Sequence, residues 1–231
     1  MPLVDDIHTL RDRAMADLNA AQDYFGHGKI AWFVLRQVIA ARPAFVIRNN
    51  VTGTATNQPD LVDKAETYVA RELTQATFQQ FISIFEAFFF DLLRLWLLAY
   101  PQHLMGRKVD FKTVLDAPDK DAVTLAVVNK ELNEVLYERP ADWFAYLNDK
   151  VKLGCPTMDE IERIAEAKAS RDALVHNRGV AGRAYLLKAG KLARHKEGEQ
   201  IDILQDYHRQ TWELIRKVVA DISNAAIAKA A

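Results

Sequence analysis

Apolar residues recur along most of this chain with the period of an α-helix. The clearest stretch predicts a long helix from about Asp60 to just before Pro101, because its apolar residues are spaced i, i+3, i+4 and i+7. These positions are Phe78, Phe81, Ile82, Phe85, Phe89, Leu92, Leu93 and Trp96. A stripe of this kind is typical of a helix that buries one face, so we expect it at the centre of the core.

Glycine, proline and capping residues divide the remaining sequence into further helices. Gly26-His27-Gly28 is expected to end a first helix and Pro43 to follow a second, whereas the polar segment Asn49–Pro59 predicts a mobile loop. Thr157 and Glu160 have the spacing of a capping box, which predicts a helix start there. The predicted helices span about 3–24, 30–41, 60–100, 122–137, 140–153, 157–178 and 204–228, with a short helix or irregular segment within 183–200.

The pattern predicts an all-α fold, an up-and-down helical bundle with additional N-terminal helices. At 231 residues, half of them hydrophobic, the chain is long enough for a substantial core. We interpret residues 1–231 as a single domain, with a helical extension over 1–58 and the bundle core over 59–231.

Several classes of protein do not fit the composition. The acidic N-terminus does not resemble a secretory signal, and the most apolar stretch, Phe88–Leu98, is shorter than the ~20 residues that cross a bilayer. The single cysteine, Cys155, excludes an internal disulfide. The histidines lack metal-ligand spacing and there is no glycine-rich phosphate loop, so we expect no membrane contact, no metal, no cofactor and a cytoplasmic protein.

Positive charge is concentrated late in the chain. Eight Lys and Arg residues lie between Lys168 and Lys196, against the single acid Asp172, although the net charge of the whole chain is −1. Such a patch favours binding of a polyanion. The alternative is a solvated face, and Asn177 fits a helix end better than a ligand. The candidate substrate-binding residues are Lys168, Asn177, Arg178, Lys188 and Lys191, with Arg194 as a further cation.

Three residues near the end of the predicted helix 157–178 could carry chemistry. Asp172 and His176 are four residues apart, which places the carboxylate and the imidazole on one face, and a histidine at this position can act as a general acid or base. Arg171 diverges from His176 by roughly 140° on an ideal helix. Because Ala165 and Ala169 allow close approach, we infer that a two-fold dimer combines the two side chains in one site.

The segment Arg171-Asp172-Ala173-Leu174-Val175-His176 resembles the Arg-x4–6-His motif of the HEPN superfamily. The late position of the motif at a helix end and the aromatic-rich segment Ser83–Phe88 are also similar to HEPN proteins. Many members are metal-independent endoribonucleases that act as dimers, often as toxins or in phage defence. Some carry a modified tyrosine two residues after the histidine, where this chain has Arg178, so regulation by that modification is not expected.

The resemblance implies a HEPN-like bundle that cleaves RNA to a 2′,3′-cyclic phosphate. It assigns His176 as the catalytic histidine, Arg171 as the phosphate-binding cation and Asp172 as the orienting polar residue. Glu86 is expected to support Arg171 or to pair with another cation. The implied partners are RNA, a second copy of the chain, and an antitoxin or regulatory protein. The alternatives are a non-catalytic HEPN-like dimer that binds RNA or a protein, and a helical adaptor without nucleic-acid contact.

Overall fold

A computed structural model describes residues 2–42 and 44–231, and these residues are mostly helical, as the periodicity predicts. The helices are α1 (Pro2–Ala40), α2 (Gln58–Thr67), α3 (Leu73–Ala99), α4 (Phe111–Asp116), α5 (Lys120–Leu136), α6 (Pro140–Val151), α7 (Met158–His176), α8 (Arg183–Ala189) and α9 (Gln205–Ala230). Two-residue strands β1 (Ile47–Arg48) and β2 (Ala55–Thr56) pair in antiparallel fashion. This hairpin occupies much of the segment that the sequence predicts as a mobile loop.

The first helix is continuous, so the predicted break at Gly26-His27-Gly28 is wrong. A helical glycine costs roughly 0.5–1 kcal/mol relative to alanine, which packing can offset. Gly28 contributes to such packing, since a Cβ at this position would lie 2.8 Å from the Leu73 Cδ2 atom. The glycine therefore permits close contact between α1 and the start of α3.

The long helix predicted from about Asp60 to Pro101 is present, but a π-helical turn over Tyr68–Glu72 interrupts it. The Leu73 amide donates to the Tyr68 carbonyl, and the Thr74 hydroxyl donates to the Val69 carbonyl at 3.1 Å. The π turn accommodates an extra residue and joins α2 to α3 without a loop.

Helix α3 lies at the centre of the core, as its apolar stripe predicts. It packs against α1, α9, α5 and α7, and all eight stripe residues are buried. The ring centroids of Phe89 and Trp143 are 5.8 Å apart, and those of Phe85 and Phe144 are 6.1 Å apart, which ties α6 to the same core. Helices α7 and α9 close the bundle and bring the basic segment to its surface.

One buried histidine lies inside this bundle. His208 of α9 is completely buried and packs between the rings of Phe25 and Phe81. Its Nε2 atom is 2.8 Å from the Thr77 hydroxyl, which itself donates to the Leu73 carbonyl at 2.8 Å. His208 therefore donates from Nε2, and its Nδ1 atom has no partner. Burial, with Lys29 nearby, lowers the pKa of His208 to about 4.

Acidification is therefore expected to destabilise the protein through His208. The unfolded chain takes up this proton near pH 6.5 and the folded chain only near pH 4. The stability that depends on neutral His208 is thus fully present above about pH 6.5. As the pH falls toward 4, the free energy of unfolding decreases by about 2–3 kcal/mol. Urea unfolding of the wild type and of His208→Gln at several pH values measures it. If the free energy of unfolding of His208→Gln changes with pH as steeply as that of the wild type over this range, the prediction is contradicted.

Candidate functional site

Helix α7, which carries the motif, starts at a capping box in which both hydrogen bonds are formed. The helix start predicted at Thr157 is therefore confirmed. The Thr157 hydroxyl accepts from the Glu160 amide, and the Glu160 carboxylate accepts from the Thr157 amide at 2.8 Å. Lys217 of α9 donates to the same carboxylate at 2.7 Å. The hydrogen bonds from Lys217 and Thr157 outweigh the effect of partial burial, and they lower the pKa of Glu160 to about 2. The start of α7 is thereby fixed to α9.

The end of α7 is held by its own loop. The Asn177 amide donates to the Ala173 carbonyl, and its side chain donates to the Val180 carbonyl at 2.7 Å. Asn177 is therefore a helix-end residue. The backbone of 179–181 then pairs with that of 198–201. The Ala181 amide donates to the Glu199 carbonyl at 2.8 Å, and the Ile201 amide donates to the Gly179 carbonyl at 2.7 Å. This pairing closes a loop that carries α8 back onto α7.

A groove of about 460 Å³ runs between the last turns of α7 and this loop. His176 is exposed on one wall, and among residues 2–42 and 44–231 its side chain has no hydrogen-bond or ion-pair partner. The other lining residues combine a small, largely apolar floor with polar and cationic walls. They are Ala169, Asp172, Ala173, Asn177, Gly182, Arg183, Ala184, Tyr185 and Lys188.

Asp172 is the centre of a partly buried charge network. Its carboxylate accepts from Lys188 at 3.0 Å, from Arg171 at 3.1 Å and from Lys168 at 3.3 Å. Glu86 of α3 lies 2.7 Å from Lys168 and 3.4 Å from Arg171. Burial opposes ionisation of Asp172, but the three cations outweigh it and lower its pKa below the usual value. Asp172 therefore holds Lys188 at the groove as an ion pair.

This network changes two expectations for the motif. Asp172 does not orient His176 through a hydrogen bond, because its oxygens face the three cations. Arg171 points toward α3, where it also donates to the Ser83 hydroxyl at 3.4 Å, and it does not line the groove. The divergence expected from helix geometry therefore separates Arg171 from His176 within one chain.

Lys168 also lies away from the groove. Its side chain is only 14% exposed, and its Nζ atom is 5.2 Å from the ring centroid of Trp143 as well as bound to Glu86 and Asp172. A phosphate would have to displace these contacts. Lys168 is therefore a partly buried partner of two carboxylates, and its role in binding substrate stays a prediction.

The small face of α7 is covered by the same chain. Ala169 is buried, and α8 packs across it, with the Tyr185 hydroxyl donating to Glu166 of α7 at 3.0 Å. The sequence expectation was that a second copy would approach at this face. Within one chain α8 packs against α7, because the loop pairing at 179–181 folds it back. Association with a second copy at this face stays a prediction.

Ion pairs neutralise most of the basic segment. Lys191 binds Glu162 at 2.9 Å, and Arg194 binds the buried Glu166 at 3.1 Å, so Arg194 is not a free surface cation. Among the residues that the structure describes, the side chains of Arg178, Arg183 and Lys196 in this segment have no ion-pair partner. Only Arg183 of these three lines the groove with His176.

Arg183 and Tyr185 are the groove residues that sequence reasoning missed. Arg183 belongs to the basic segment 168–196 but has no motif spacing, and its place in the same groove as His176 depends on the folded loop. Lys188, which the sequence did single out, lines the same groove. The signal that could have found Arg183 is its position just after the turn Gly179–Gly182, which reverses the chain.

A second polar cluster lies behind α8. Glu166 is 3% exposed and accepts from Ser170 at 2.8 Å and from the hydroxyls of Tyr185 and Tyr207. The Cζ atom of Arg194 is 3.5 Å from the ring centroid of Tyr207. Burial and the Glu166 charge raise the pKa of both tyrosines. The cluster therefore ties α8 to α7.

Replacing Arg178 by glycine is expected to stabilise the protein by about 1 kcal/mol. Arg178 has a φ of 55°, a left-handed conformation that costs a residue with a Cβ roughly 1 kcal/mol and costs glycine little. Thermal unfolding of Arg178→Gly and Arg178→Ala measures this difference, since both lose the same charge. Equal melting temperatures of the two variants would refute the conformational explanation.

No family model matches the chain, and no curated protein or solved structure is significantly similar to it. None of the helices within residues 2–42 and 44–231 combines the length and apolarity needed to cross a membrane. Over the same residues, no group of three or more His, Cys, Asp and Glu side chains is placed to hold a metal ion. The groove and its side chains are therefore the basis for any functional proposal.

Proposed function

We propose that this protein is a metal-independent endoribonuclease that binds an RNA phosphodiester in the groove beside α7. The observation that carries the proposal is His176, an exposed imidazole that lines the same groove as Arg183; within the described residues, neither side chain has a hydrogen-bond or ion-pair partner. An imidazole beside cations suits proton transfer at a phosphate. The short sequence resemblance at 171–176 supports the same chemistry.

In the proposed reaction His176 accepts the proton of the RNA 2′-hydroxyl. The 2′-oxygen forms a bond to the adjacent phosphorus and the bond to the 5′-oxygen breaks. The imidazolium then gives its proton to the departing 5′-oxygen, so the products are a 2′,3′-cyclic phosphate and a 5′-hydroxyl. No net proton and no metal ion are required.

In this proposal the cations that line the groove bind the phosphate. Arg183 binds the non-bridging oxygens, because a guanidinium matches them with two donors, and Lys188 adds a second positive charge. Arg171 acts indirectly, since it helps to hold Asp172, which in turn binds Lys188. Arg178 lies beyond the helix end, where it is exposed and can bind a neighbouring phosphate.

The second candidate is a non-catalytic helical protein that binds RNA or a protein partner. The network around Arg171 favours it, since an arginine held by Asp172 and Glu86 has a structural role without any reaction. On this alternative the basic groove binds a polyanion, and His176 is only a surface residue at a helix end.

The test is cleavage of mixed cellular RNA by purified protein in EDTA, with Arg171→Ala and His176→Ala beside the wild type. Cleavage that leaves cyclic-phosphate ends, and that requires His176, supports the ribonuclease. Salt-sensitive RNA binding without cleavage by any of the three proteins favours the binding protein. Equal cleavage by all three would place the activity elsewhere or in a contaminant.

A further inference from the structure

The second half of α1 exposes an apolar stripe. Ile30 is 62% exposed, Phe33 61%, Val34 53% and Val38 41%. Their spacing of i, i+3, i+4 and i+8 places them on one helix face. Contiguous apolar surface of this kind on a protein commonly marks an interaction site.

The opposite face of the same helix segment is occupied by this chain. Phe25 and Ile39 are buried there, the Trp32 ring lies 5.1 Å from that of Tyr68, and Arg36 forms an ion pair with Glu66 of α2. Packing within the chain thus fixes the direction of the helix and leaves the stripe outward. The stripe is therefore a preformed surface.

The charges at the two ends of the stripe are complementary. Asp23 lies on the same face, seven residues before Ile30, and Arg42 directly follows the helix. Among residues 2–42 and 44–231, neither side chain has an ion-pair partner. An antiparallel pairing of two α1 helices would place each Asp23 beside the Arg42 of the other copy, whereas a parallel pairing would place like charges together.

The area of the stripe also fits a second copy. Its four side chains leave about 400 Å² of apolar surface exposed, from the usual areas of such residues. A stable interface covers about 800 Å² on each partner, of which somewhat more than half is apolar. The neighbouring polar residues His27 and Gln37, with Asp23 and Arg42, lie around the apolar centre as a polar rim does.

We propose that two copies of this chain associate through the 23–42 segment of α1, in antiparallel orientation about a two-fold axis near Phe33. This surface is separate from the α7 groove, and the inference does not depend on the proposed activity. A lipid surface is the less favourable occupant, since helices that lie on membranes carry exposed Lys and Arg along their polar side. Here Arg36 is paired with Glu66, and Lys29 binds Gln205 at 2.8 Å.

Sedimentation velocity of the full chain over a range of concentrations tests the proposal. The wild type is expected to dimerise, and Phe33→Glu is expected to weaken the dimer about 30-fold or more, as for a central interface residue. The matched control is Tyr137→Glu, at an 83% exposed position outside the stripe. It is expected to remain dimeric. Circular dichroism checks that both variants fold.

Two further measurements test the antiparallel orientation. Asp23→Arg and Arg42→Asp are each expected to weaken the dimer about 3- to 10-fold, and the double variant is expected to recover. In a Cys155→Ser background, Phe33→Cys is expected to cross-link two copies. Gln37→Cys is expected not to, because position 37 faces the region of Gly28 in the partner.

Three results would overturn the proposal. The wild type could remain monomeric at all concentrations, or the dimer could survive Phe33→Glu as well as it survives Tyr137→Glu. Cross-linking through position 37 but not 33 would indicate a different pairing. A monomer that binds anionic vesicles through the stripe would identify a lipid surface as the occupant and also refute the second copy.

Discussion

Replacing His176 by alanine is expected to slow RNA cleavage by about 10²- to 10⁴-fold, the usual contribution of a positioned proton-transfer group. RNA affinity is expected to change little, because Arg183 and Lys188 remain in the groove. Since the side chain is exposed and makes no hydrogen bond to the part of the chain that the structure describes, the variant is also expected to fold with unchanged stability. Single-turnover cleavage and RNA binding at fixed salt measure the two effects separately.

Matched variants separate proton transfer from charge. His176→Lys keeps a positive charge but remains protonated near neutral pH, so it is expected to be as slow as His176→Ala. Arg183→Ala is expected to weaken both RNA binding and cleavage. His8→Ala, at a position outside the groove, serves as the histidine control. Full activity in His176→Lys would show that His176 contributes charge alone and would contradict its role in proton transfer.

Replacing Glu166 by glutamine is expected to lower the free energy of unfolding by about 3–5 kcal/mol, as is typical when one partner of a buried ion pair is removed. The carboxylate accepts from Ser170, Arg194 and two tyrosines, and an amide has a single acceptor oxygen for these donors. The Arg194 cation would also lose its carboxylate partner. Urea unfolding followed by circular dichroism measures the loss.

Glu162→Gln is the control for this substitution. Glu162 also binds a cation of the same segment, but its partner Lys191 is exposed, so the expected loss is about 1 kcal/mol or less. In Glu166→Gln with Arg194→Met, part of the stability is expected to return, since no unpaired cation remains. Similar losses for Glu162→Gln and Glu166→Gln would contradict a special role for the buried cluster.

The features of the fold that were predictable from the sequence depend on short-range relations. The capping box at Thr157 and Glu160 involves residues three apart, and the stripe from Phe78 to Trp96 reports burial through helix periodicity. The break at Gly26 was wrong because the cost of a helical glycine is smaller than the packing that a long α1 gains. Sequence patterns over a few residues therefore predicted which segments are helical better than they predicted where each helix begins and ends.

The candidate site was less predictable because its charges pair over long sequence distances. Arg171 meets Glu86 from a separate helix, and Arg194 meets Glu166 across the α8 loop. No spacing in the sequence distinguishes these paired cations from Arg183, which forms no ion pair with the described residues. The place of His176 at a helix end was predictable, whereas the residues facing it depend on how the chain returns after Gly182.

The π turn at Tyr68–Glu72 gives the joint between α2 and α3 one residue more than a regular α-helix needs there. Deleting Val69 would allow an uninterrupted α-helix, and the faces of α2 and α3 would keep nearly the same register because the wide turn absorbs the extra residue. Glu66 would then stay near Arg36, and Ala65 would stay buried. A single-residue deletion is therefore expected to be tolerated here, whereas the same deletion within the regular part of α3 would rotate the preceding helix by about 100°.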